Sequence, residues 1–93
     1  MATTIDRARL GSLLASESER FISAHPVSAQ LHQRALGPLI AGVPMNWMTR
    51  WPGAFPVFAA RASGSSITDV DGTTYVDLCL GDTGAMTGHS PPA

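Results

Sequence analysis

The chain has 93 residues, enough for at most one small domain, and a domain of that size buries only a modest core unless something else supports it. Its 44% hydrophobic and 14% charged composition argues against disorder, which requires low hydrophobicity and high net charge. The net charge is −1 and the six cations, all arginine, are scattered, so no basic patch marks a nucleic-acid or anionic-membrane surface.

Cys79 is the lone cysteine, which rules out an internal disulfide and fits a reducing compartment. The opening MATTIDRARL lacks a basic stretch followed by an apolar one, as a secretory signal would need, and the longest apolar runs fall far short of the ~20 residues that span a bilayer. The expected location is therefore cytoplasmic, with neither nucleic acid nor membrane as partner. No lysine occurs anywhere. Any chemistry that needs a lysine Schiff base must take that residue from outside this chain.

In chain order, residues from about Thr4 to Ala24 read as an amphipathic helix. Leu10, Leu13, Leu14, Glu17 and Phe21 fall at helical spacing, all but Glu17 apolar, and Ile22 widens the stripe. His25-Pro26 ends it, because the residue before proline is pushed out of the helical region. Ser28 is expected to cap a second helix running to about Leu36, and Gly37-Pro38 marks its end. Residues 39–56 hold two tryptophans, two methionines, three prolines and two glycines and cannot form one regular element. A long apolar loop reads either as packed on a core that is partly missing here or as the wall of a pocket in a larger enzyme.

Three strand candidates follow at Val57–Ala60, Ser66–Val70 and Thr73–Leu80, with turns at Ala62-Ser63-Gly64 and Asp71-Gly72. Together they predict a small antiparallel meander. The chain ends in GDTGAMTGHSPPA, where no closing element follows the prolines, and the expectation is a truncated chain. The organisation expected is a helical segment 1–36, an apolar loop 37–56 and a meander with a glycine-rich loop, 57–93, forming an incomplete domain.

Several chemistries fail on spacing. Asp69, Asp71 and Asp77 surround Gly72, but counted from Asp69 the glycine stands at position 4 and Leu80 at position 12, where a calcium loop needs glycine at 6 and glutamate at 12. His25, His32, His89 and Cys79 are too dispersed for a zinc site, no G-x-S-x-G is present, and GDTGAMTG matches neither phosphate-binding glycine pattern. The carboxylates are expected to satisfy nearby backbone donors in the turn. Trp47 and Trp51 frame Arg50 and read as anchors against a partner surface.

The ordered set Asp69, Asp71, Gly72, Tyr75, Asp77, then Gly88, His89 and Pro91, resembles a segment near the start of class III aminotransferases. AGVPMNWM (41–48) is similar to their loop after the N-terminal helices, and FPVFAARASGS (55–65) to the strand leading into the hairpin. The resemblance covers about residues 28–93, and the most similar branch is that of glutamate-1-semialdehyde aminomutases and β-amino-acid transaminases. It implies an α+β fragment: N-terminal helices plus a small antiparallel meander, part of the small domain of a fold type I, pyridoxal-phosphate-dependent transferase. It also implies a homodimer, with the first helix packing on the partner subunit, and amino-group transfer between a small-molecule amino donor and a keto acceptor. Catalytic lysine, pyridine-nitrogen partner and phosphate loop would lie downstream, so no catalytic or cofactor-binding residue is assigned.

By spacing, the resemblance places substrate-pocket candidates at Met45, Asn46, Met48 and Arg50, and at Asp82 and Thr83 ahead of Gly88. None of Met45, Asn46 and Met48 is the arginine that the branch often uses for a substrate carboxylate, which makes Arg50 the nearest substitute. Asp82 stands where the branch has an aromatic residue, and its charge would repel an acidic substrate group. Two other readings stay open: an intramolecular 2,1-aminomutase, and a non-catalytic binding or interaction module.

Overall fold

A computed structural model describes residues 4–79 and 84–93. The first helix, α1, spans Arg7–Ala24. It starts three residues later than its apolar pattern suggests because the Asp6 carboxylate accepts the Arg9 N–H at 3.0 Å and caps the first turn. Helix α2 spans Pro26–Ala35, with Pro26 in the first turn, where its missing N–H costs nothing. Both helices share His25 as the residue between them.

Ser28 does not cap α2, contrary to expectation. It is fully buried inside the first turn, and its hydroxyl accepts the Phe58 N–H at 3.1 Å. The cap comes instead from a residue far away in sequence. The two carboxylate oxygens of Asp71 accept the N–H groups of Val27 (2.7 Å) and Ser28 (3.0 Å). The positive end of α2 is thereby docked on the hairpin turn by charge-assisted hydrogen bonds.

The segment after α2 forms two short 3-10 turns, Ile40–Gly42 and Asn46–Arg50, rather than one element. Three strands follow: β1 (Ala59–Ser63), β2 (Ser66–Asp69) and β3 (Thr74–Val76). They pair antiparallel in the order β1-β2-β3, as a meander should. The first strand starts later than expected, at Ala59, and Phe58 ahead of it gives its N–H to Ser28. The third is shorter because Asp77 folds back to accept the Cys79 N–H at 2.8 Å; Leu80 lies outside the described residues. The turn before β3 is closed by Asp69 N–H to the Thr73 carbonyl, with Gly72 at φ +91°, a conformation that favours glycine.

The meander and helices enclose little. Only Val43 (7% exposed) and Phe55 (9%) are buried apolar side chains among the described residues. Phe55 packs on Phe21 with ring centroids 5.1 Å apart, and Phe21 continues to His25 at 4.5 Å and Trp51 at 6.5 Å. Phe55 is buried and Phe58 half-buried. Trp47 and Trp51 are exposed, as are Leu10, Leu13, Leu14 and Ile22 on α1, which buries no residue at all.

Two numbers measure how open the chain is. Its accessible surface is 7494 Å², against about 5100 Å² for a compact monomer of this mass. Its radius of gyration is 16.5 Å, against about 12 Å for a compact domain of this length. Burial of two apolar side chains stabilises by about 3–6 kcal/mol in all, which is small beside the backbone entropy of so many ordered residues.

Candidate functional site

The most distinctive concavity is an apolar groove of about 750 Å³ between the 3-10 turns and the chain leading into β1. Val43, Trp47, Met48, Trp51, Val57 and Phe58 are among the side chains of its wall. Arg50 is its one charged lining residue. The groove exists because the prolines and glycines of residues 39–56 break regular structure and let apolar side chains line one side of a loop. Of the pocket candidates, Met48 and Arg50 line this groove, whereas Met45 and Asn46 are exposed and lie outside its lining. Asp82 and Thr83 lie outside the described residues.

A second group of residues ties the hairpin to the chain end. Asp77 Oδ2 and His89 Nε2 are 2.6 Å apart, and both side chains are largely shielded. The His89 hydrogen bond, then that of the Cys79 N–H, hold the Asp77 carboxyl below the usual carboxylate range. Gly64 and His89 exchange backbone hydrogen bonds of 3.0 and 2.9 Å as an isolated antiparallel bridge. Gly88 makes that bridge feasible: it sits at φ +91°, and a β-carbon there would stand 3.2 Å from the Gly64 Cα. The Ser90 hydroxyl adds a bond to the Ala62 carbonyl at 2.8 Å. Both ends of the segment from Asp77 to His89 are thus pinned to the sheet.

The third group is buried at the helix–hairpin junction. Asp69, 2% exposed, accepts the N–H groups of Asp71 (3.0 Å) and Thr73 (2.8 Å) on Oδ1 and the Tyr75 hydroxyl (2.7 Å) on Oδ2. Desolvation works to raise its carboxyl. The Tyr75, Thr73 and Asp71 hydrogen bonds, with His25 alongside, outweigh it and hold the group low. Asp71 is likewise lowered: desolvation and the Asp69 charge oppose, but the Val27 and Ser28 donors prevail. Burial, then its bond to Asp69, push Tyr75 up. The turn carboxylates thus satisfy backbone donors, as expected, and Asp71 adds a helix cap that local reading did not foresee.

Neither the Asp77–His89 pair nor the junction of His25, Tyr75 and Asp69 was legible as a contact. Asp77 and His89 stand 12 apart, and His25 stands 50 from Tyr75 and 44 from Asp69, with no periodic signal joining them. Among the described residues no cluster of three or more metal-ligating side chains occurs, and no helix is long and apolar enough to cross a membrane. A lysine-bound cofactor does not fit what this chain offers, because a chain without lysine has no amine to bind it covalently.

Two helices, an apolar loop and an antiparallel meander with a pinned glycine-histidine end make up the described chain. No family profile matches the chain. A glutamate-1-semialdehyde 2,1-aminomutase of Methanocella arvoryzae is 44% identical over 66 residues, 71% of this chain and 15% of that protein. The crystal structure of a glutamate-1-semialdehyde aminomutase from Pseudomonas aeruginosa superposes with a TM-score of 0.85 at 43% identity, covering 98% of this chain and 20% of that one. A variant of the Pseudomonas protein is also known in complex with PMP. A β-phenylalanine aminotransferase from Variovorax paradoxus superposes with a TM-score of 0.77 at 27% identity, over 88% of this chain and 19% of that one. The chain belongs to the class III pyridoxal-phosphate-dependent aminotransferase family, and it spans a fifth or less of the length of these relatives.

Proposed function

We propose that this chain is the N-terminal part of a pyridoxal-phosphate-dependent aminotransferase that moves an amino group between an amino acid or amine and a keto acid. The observation that carries this reading is the superposition of almost the whole chain, open surfaces included, on one fifth of an enzyme of this family. In that role residues 1–36 supply a helical brace, 37–56 an apolar wall and 57–93 the meander of an incomplete domain. Met48 and Arg50 face the substrate side of the groove, Arg50 offering a guanidinium to a carboxylate. Met45, Asn46, Asp82 and Thr83 are the remaining pocket candidates. The parent works as a cytoplasmic homodimer, and the 93-residue chain alone is inactive because the residues that hold the cofactor belong to other parts of the polypeptide.

A second reading has direct support in the names of the Methanocella and Pseudomonas relatives: an intramolecular 2,1-aminomutase. The two differ in stoichiometry, since transamination consumes a separate keto acceptor and the mutase does not.

The test begins with the chain itself, incubated with pyridoxal phosphate, an amino donor and a keto acceptor. No turnover and no cofactor retained after gel filtration are expected. Sequencing the coding DNA past Ala93 should show an open frame that supplies a lysine. Turnover by the isolated chain, or a frame that closes at residue 93, would defeat the proposal.

A further inference from the structure

The junction at His25 offers more acceptors than a neutral imidazole can serve. Nδ1 lies 2.7 Å from the Phe21 carbonyl, an oxygen that can only accept, so Nδ1 carries a hydrogen. Nε2 lies 2.9 Å from the Tyr75 hydroxyl and 3.4 Å from Asp69 Oδ2. Tyr75 has one hydroxyl hydrogen, and at 2.7 Å it points that hydrogen at the carboxylate. With the hydrogen so committed, the tyrosine oxygen meets Nε2 with a lone pair, and the contact is attractive only if Nε2 is protonated too. A singly protonated ring forces a choice. Either Tyr75 turns its hydrogen to His25 and leaves a buried carboxylate oxygen short of a donor, or two lone pairs face each other.

We propose that His25, Tyr75 and Asp69 form a proton-dependent latch between the two helices and the hairpin, closed when His25 carries two hydrogens and loosened when it carries one. The other groups around it fit this role. The hairpin presents Asp69, held ionised, and Tyr75, held protonated, so the hydrogen count of the latch is set at the His25 ring, whose two nitrogens face the Phe21 carbonyl and the Tyr75 hydroxyl. Asp71 stands behind Asp69 and adds a second negative charge from the same turn. Helix α1 contributes the Phe21 carbonyl and the Phe21 ring, whose centroid lies 4.5 Å from that of His25. The N-terminus of α2 would oppose a cation on its own cap residue, but Asp71 already occupies its N–H groups. His25 itself is 8% exposed, so water does not readily replace a lost partner. The inference is independent of any catalytic reading.

Amide hydrogen exchange of the protein at its natural full length, followed by mass spectrometry and corrected for the intrinsic pH dependence, tests it. Peptides covering 21–29 and 69–75 should open about tenfold more at about pH 8 than at about pH 5.5, the size of one hydrogen bond to a charged group. In His25→Gln, which keeps a donor and an acceptor but does not titrate, and in Tyr75→Phe, which removes the bridge, that dependence should flatten. A wild-type profile that is flat, including one with no protection at any pH, overturns the proposal. So does a slope that survives in His25→Gln.

Discussion

Asp69 shows how one side chain can organise a turn. Its two oxygens take three hydrogen bonds, two of them from backbone N–H groups that the turn would otherwise leave without partners inside the structure. These donors favour the charged form, so the folded-state carboxyl titrates below its unfolded value. The sign follows: the stabilisation is fully present above the unfolded value of about 4 and is lost as pH falls through the lower folded one. The expected outcome is an acid-side loss of exchange protection at the Asp71 and Thr73 amides, absent in Asp69→Asn, as read by hydrogen exchange. The DVDGTTY string made the turn legible and showed that its carboxylates would serve backbone donors. It did not show that Asp71 reaches back to cap a helix 44 residues earlier, because a cap from a distant segment leaves no local pattern. Ser28 misled for the same reason. A serine two residues after proline looks like a local cap, yet here it is consumed by Phe58 from the strand side.

Among the elements, the meander was the most legible and the strand ends the least. Asp71-Gly72 and the β-branched residues around it mark a hairpin, and the register Thr68 with Thr74 and Ile67 with Tyr75 follows. The ends moved because Phe58 and Asp77 spend their hydrogen-bonding groups on other partners. Helix α1 was legible from period alone, although of the apolar stripe that signalled it Phe21 packs on Phe55 while Leu10, Leu13, Leu14 and Ile22 stay exposed. The glycine-histidine end depends on backbone contact with Gly64, and this gives a clean substitution. Gly88→Ala places a methyl group against the Gly64 backbone at a positive φ. It should cost about 1–3 kcal/mol locally and release the Asp77–His89 pair. The check is the Asp77 carboxyl followed by NMR, which should titrate below the usual carboxylate range in the unsubstituted sequence and move back toward that range in the variant.

At the scale of the whole molecule, surface and core are mismatched. An excess of about 2400 Å² over a compact monomer matches the area that obligate partners bury between them. The exposed face includes the apolar groove, both tryptophans and the leucine stripe of α1. Exposed apolar surface of this kind marks a missing partner. Composition already hinted at this, since a chain 44% hydrophobic has the material for a core. What composition could not show is which apolar residues of the loop stay exposed. That depends on where the Pro- and Gly-broken loop turns, and no periodicity encodes it. Differential scanning calorimetry of the purified 93-residue chain, with its oligomeric state measured alongside, addresses the central claim most directly. The account predicts a broad, weak transition and self-association; a sharp two-state melt of a soluble monomer would contradict it.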